Sequence, residues 1–247
     1  MKKNKLIVSN TLLSIGFIYL SSCAPTYIPN AINAPLMKNA GEVNAAVYAG
    51  TNGVDGQASV AIINHLGVMA DYSYGNRTNT GTDSTGFRNH EFFEGGIGYF
   101  LAPLSKTTCF EVWGGYGEGN SAAKADKSGL YVKKNDIVSG NYSRYFLQVD
   151  YGLRTKKFEI GFAARYSYVN FSSYRNSNSI TTYHGLDESY VQPTGFIRVG
   201  GKHIKFTTQM GLSVRTSFFN DEKPKFRSQP FYISFGLQAT LNRKWED

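Results

Sequence analysis

Between residues 144 and 168 every second position is apolar. Tyr145, Leu147, Val149, Tyr151 and Leu153 give way, after a break at 154–156, to Phe158, Ile160, Phe162, Ala164, Tyr166 and Tyr168. The intervening positions hold Arg144, Phe146, Gln148, Asp150 and Gly152, then Glu159, Gly161, Ala163, Arg165 and Ser167. A period of two is the mark of a strand with unlike faces. It recurs in ten segments, about 42–50, 56–64, 66–75, 92–102, 107–117, 142–153, 157–168, 189–200, 203–215 and 230–242. The first two are the weakest, so eight strands is an alternative count. Past the amino-terminal stretch no run of about 20 apolar residues occurs, which excludes a second membrane-spanning helix.

The connections alternate in length. Those after the even-numbered segments are tight, around Asn64-His65, 103–106, 154–156 and Gly201-Lys202. Those after the odd-numbered segments are long and polar, about 76–91, 118–141, 169–188 and 216–229, except for the short first one at 51–55. Short turns at one end and long loops at the other predict an antiparallel up-and-down barrel.

Period two alone leaves open whether the oily face meets lipid or a soluble core, because a lipid-anchored soluble barrel or sandwich alternates too. The other face favours a closed lumen. It is rich in glycine and serine, and its sparse ions come in both signs: Asp71, Glu94, Glu111, Asp150 and Glu159 against Arg144, Arg165, Arg198, Lys205 and Arg215. These ten are expected to neutralise one another inside a narrow interior, where an unpaired ion is costly. Tyr72, Tyr74, Tyr116, Tyr166 and Tyr168 near the long-loop ends, with Tyr99 and Trp245 near the other, suit two aromatic belts.

The amino terminus divides the chain into 1–22, 23–41 and 42–247. Lys2, Lys3 and Lys5 precede an apolar stretch, Leu6 to Leu20, that ends in Leu20-Ser21-Ser22-Cys23. This is the layout of an export signal, and the last four residues resemble the lipobox of bacterial lipoproteins. The resemblance implies cleavage before Cys23 and lipidation of its sulfur and amine. Residues 23–41, with Pro25, Pro29 and Pro35, read as an extended lipid-anchored tether leading into the first strand.

Losing residues 1–22 removes three lysines and lowers the formal charge from +8 to +5. That excess suits anionic lipid and fits nucleic acid poorly for an exported chain. The chain has two cysteines, and with Cys23 committed to lipid, Cys109 has no disulfide partner. No metal or cofactor motif is found.

As a whole, residues 42–247 resemble the small outer-membrane β-barrel proteins of Gram-negative bacteria, in particular Bacteroidota-type barrel lipoproteins. The resemblance implies long loops outside the cell, short turns in the periplasm and a lipid anchor in the periplasmic leaflet, on the side where the first strand begins. The end of the chain departs from that pattern, since Trp245 is followed by Glu246 and Asp247. Partners implied are outer-membrane lipid, lipopolysaccharide phosphates met by basic loops, and a protein ligand at those loops.

The function expected is a non-enzymatic binding or envelope-organising role. The competing class is a protease or lipid A-modifying enzyme at the rim, with His90 beside Glu91 and Glu94, or His184 beside Asp187 and Glu188, as candidate acid–base groups. No motif of the omptin proteases or the lipid A acyltransferases is matched residue by residue.

Overall fold

The computed structural model describes residues 24–80, 85–101, 107–125, 134–177, 182–216 and 226–242. The expected export signal, Cys23 and Trp245 lie outside these residues. The strands are β1 (Val43–Gly50), β2 (Gly53–Ile63), β3 (Leu66–Thr80), β4 (Thr85–Leu101), β5 (Thr108–Lys124), β6 (Ile137–Arg154), β7 (Phe158–Asn176), β8 (Thr182–Tyr183), β9 (Leu186–Gly200), β10 (Ile204–Leu212), β11 (Val214–Arg215) and β12 (Phe231–Leu241). The two-residue strands β8 and β11 only extend the ladders of β7 and β9. The other ten form a closed antiparallel barrel.

Closure has two seams. β7 pairs with β9, from Phe158↔Val199 to Phe171↔Leu186. β12 pairs with β1, from Val43↔Leu241 to Gly50↔Ser234. A closed ring leaves no strand edge without a ladder partner.

The two faces fall where the alternation puts them. Tyr145, Leu147, Tyr151, Phe162 and Tyr166 point outward and are exposed, as are Ile97, Phe206, Met210 and Leu237. Arg144, Gln148, Asp150, Glu159 and Arg165 point inward and are buried. A one-residue slip would exchange the two sets, so the contrast fixes the register.

Several strands run past the expected boundaries. The β3–β4 ladder continues to Thr80↔Thr85, and the β5–β6 ladder to Lys124↔Ile137. Much of what reads as loop at 76–91 and 118–141 is therefore hairpin. The barrel wall is tall along β3 to β7, whereas β1 and β2 meet at the low turn Thr51-Asn52.

The greatest departure concerns residues 24–41. They were expected to begin on the same side as the first strand, as a tether leading into it. Instead Pro25 to Lys38 are buried without exception, because this segment runs through the lumen from the long-loop end to the short-turn end. At the long-loop end, Thr26 and Tyr27 donate their N–H groups to the Arg227 carbonyl, both at 2.9 Å, and Gln229 N–H donates to the Tyr27 carbonyl at 2.9 Å. At the other end, Ala40 N–H donates to Asn64 Oδ1 at 3.2 Å, and Glu42 forms an ion pair with Arg154. Eleven peptide steps from Tyr27 to Lys38 reach about 36 Å when extended, the thickness of a bilayer's hydrocarbon core and a little more.

Candidate functional site

Residues 25–38, the strap, carry their own N–H and C=O groups through the closed barrel into a place without water, where each needs a partner. The wall supplies them. Gln209 brackets Ile32, accepting its N–H at 2.9 Å and donating to its carbonyl at 3.2 Å. Gln57 donates to the Ala31 carbonyl at 2.7 Å, and Gln148 to that of Asn33 at 2.8 Å. Arg198 donates to the Ala34 carbonyl and Arg154 to that of Leu36, both at 2.7 Å. Glu111 accepts the N–H groups of Leu36 and Met37. Six wall residues from five strands thus read main chain rather than side chain.

Six of the ten expected ions form two buried groups, beside the buried Glu42–Arg154 pair. Glu94 takes Arg144 on one oxygen and Arg165, at 2.9 Å, on the other, while Asn30 of the strap donates to it at 3.1 Å. Glu159 takes Arg198 at 3.0 Å and Lys205 at 3.3 Å. Arg215 lies nearer the rim and pairs with Glu188 at 3.1 Å. The remaining three acids of the expected network are bound differently. Asp71 accepts from Asn33 at 2.7 Å, Asp150 from Gln148 at 2.8 and 2.9 Å, and Glu111 from the strap's backbone and the Trp113 indole. For Asp71 and Glu111 the strap thus stands where a purely mutual network would require a cation.

Three arginines share one construction. Arg144 lies over the Phe92 ring at 4.3 Å, Arg165 over Phe146 at 4.4 Å and Arg198 over Phe196 at 4.3 Å. Each ring rests where glycine leaves room: Phe92 on Gly117 and Gly119, Phe146 on Gly96 and Gly115, Phe196 on Gly161. A methyl at any of these glycines would meet its ring. Glycine admits the ring, the ring supports the guanidinium, and the guanidinium reaches a carboxylate or the strap.

Apolar layers close both ends. Under the long loops Tyr27 packs with Phe92, Tyr142, Phe171, Tyr190 and Phe226. Toward the short turns Met37 packs with Met69, Phe100, Trp113 and Phe146.

The candidate acid–base groups are not brought together as proposed. His90 and Glu91 are successive strand residues and so face opposite sides. His90 is buried with its Nε2 3.1 Å from Ser73 Oγ, whereas Glu91 faces outward and accepts from the Tyr72 hydroxyl at 2.8 Å. Glu94 is committed to two arginines. His184 contacts the Ser172 carbonyl at 2.9 Å through Nδ1, Glu188 holds Arg215, and Asp187 sits opposite Asn170 in the β7–β9 ladder. Ser73 and His90 are 1 % and 3 % exposed, so their contact has no open face for a substrate.

Sequence reasoning missed Glu42, Arg154 and Gln57 as lumen groups. Arg154 carried a signal: it shares the parity of Arg144, Gln148 and Asp150, all of which face inward.

No protein-family model matches the chain, and no characterised protein matches it in sequence. Among solved structures it is similar to the translocator domain of autotransporter NalP from Neisseria meningitidis, with a TM-score of 0.47 and 9 % identity, covering 98 % of this chain and 96 % of that one.

Proposed function

We propose that the chain is a lipid-anchored integral outer-membrane barrel with a sealed lumen, acting through its long-loop face in a non-enzymatic binding or envelope-organising role. One observation carries this reading: the interior is filled by the protein's own segment 25–38 while the large apolar side chains face out. A barrel that served diffusion would leave that path open. A water-soluble barrel would not cover its outside with Leu147, Ile97, Phe162 and Leu237 while burying Glu94 and Glu159. The outward belt, not the lumen, meets hydrocarbon, and lipid attached to Cys23 supplements it. Outward Tyr72, Tyr74 and Tyr116 at the long-loop side suit the headgroup level.

The test has two parts. Full-length protein extracted in detergent should migrate differently on a gel before and after boiling, and once inserted in a planar bilayer it should give no steady conductance. Release from membranes by carbonate, or an open channel in the intact chain, would refute the reading. Against the enzyme alternative, replacing His90 and His184 by alanine should leave protease and lipid A-modifying assays unchanged.

A further inference from the structure

We infer that the lipid on Cys23 is held in the leaflet on the long-loop side of the barrel, so that anchor and loops share the outer face of the membrane. This rests on the reading above and specifies its anchor. The geometry is that of the strap. Its start, Thr26 and Tyr27, is tied to Arg227 and Gln229 just ahead of β12, and its end, Ala40 and Glu42, is tied to Asn64 and Arg154 beside the short turns. Cys23 lies outside the described residues, but one peptide unit of about 3.8 Å joins it to Ala24. The opposite leaflet is a hydrocarbon core of about 30 Å away.

One further contact and the height of the wall place the strap's start near the membrane rather than high above it. Ser121 Oγ donates to the Thr26 carbonyl at 2.5 Å. The neighbour of Ser121, Asn120, is the ladder partner of Glu91, which is in turn opposite Tyr74 of the outward tyrosine belt. The strap also starts beside the segment that enters β12, and there the wall is low: β12 begins at Phe231 and its partner β1 ends at Gly50. A diacylated cysteine leaving the mouth on this side needs only to clear that low rim. The strap cannot be drawn back to deliver the lipid to the other leaflet. Gln209, Gln57, Gln148, Arg198, Arg154 and Glu111 all hold its main chain.

The experiment uses the full chain with its own signal, expressed in a Gram-negative host, with a ten-residue epitope inserted between Ala24 and Pro25. Mass spectrometry of the amino-terminal peptide reports acylation, and gel mobility before boiling reports folding. The expected result is an acylated, folded protein whose epitope binds antibody on intact cells, to the same extent as after permeabilisation. A smaller change, Ala24→Cys labelled with a membrane-impermeant polyethylene glycol maleimide, reads the same position if the insertion disturbs folding. Thr155→Cys in the β6–β7 turn serves as the opposite-side reference and should label only after permeabilisation. Acylated protein whose epitope or Ala24→Cys thiol is reached only after permeabilisation overturns the inference and leaves the proposed function standing. Absence of any acyl group, or labelling of Thr155→Cys on intact cells, overturns the proposed function itself.

Discussion

Glu94 is the point at which stability, lumen chemistry and strap meet, so its replacement by glutamine is the most exacting perturbation. The carboxylate is 0 % exposed and accepts from Arg144, Arg165 and Asn30. Glutamine keeps one carbonyl acceptor of the same shape and removes the charge. Each arginine retains other partners: the Tyr27 hydroxyl and Asn30 Oδ1 for Arg144, Gln148 Oε1 for Arg165. Two guanidinium charges nevertheless stay in a dry interior with no anion between them. Breaking a buried pair by removing one member costs about 3–5 kcal/mol, which lowers the folding equilibrium constant by two to four powers of ten. A second replacement, Arg165→Met, removes one of the stranded charges. The double variant should therefore be less destabilised than the two singles summed, with a coupling of about 0.5–3 kcal/mol. Urea titration in lipid vesicles, with the folded fraction taken from unboiled gel mobility, measures all four corners of the cycle. A loss below about 1 kcal/mol for Glu94→Gln, the size of an exposed pair, would show that water enters the lumen and would refute the sealed interior.

Three other changes probe the wall, the strap and the outer belt. Gln209→Leu leaves the N–H and C=O of Ile32 without their wall partner, and should cost about 1–3 kcal/mol while raising hydrogen exchange at Ile32 in an otherwise native spectrum. Gly98→Ala places a methyl in the Trp113 ring, an overpacking worth about 1–3 kcal/mol, and should red-shift the fluorescence of that buried indole. Leu147→Arg puts a charge on the outward belt and should cost about 2–4 kcal/mol at mid-depth in a bilayer, measured by the same urea titration. On a water-facing surface the same change would stay within about 0.5 kcal/mol, so a neutral result would turn the belt toward solvent.

What the sequence disclosed depended on contrast between faces. Within the belt, exposed apolar side chains on one face and a polar lumen on the other make the alternation of 144–168 legible residue by residue. Beyond the belt both faces of a strand are polar, and the alternation fades although the ladder continues, as at Asn76-Arg77-Thr78 opposite Asn89-Arg88-Phe87. That is why the loops read as longer than they are. Parity also assigned the ions to the lumen without saying which partners they take. Glu111 and Asp71 turned to the strap, and Arg154 reached Glu42 from a position that looked like part of a turn.

The strap was the harder problem, and for a physical reason. A segment enclosed on every side has no outer face, so it shows no period, and Asn30, Asn33, Pro29 and Pro35 have the composition of an exposed linker. Its burial is written in the wall instead, as glutamines and arginines on inward strand positions that exceed what the carboxylates need. Gln57 on β2, Gln148 on β6 and Gln209 on β10 each end at a strap atom rather than at one another. The partners of residues 25–38 are spread around the ring from β2 to β10. A barrel whose β1–β12 seam closed first would have to pass Tyr27 and Lys38 lengthwise past three arginines, each held over its own ring.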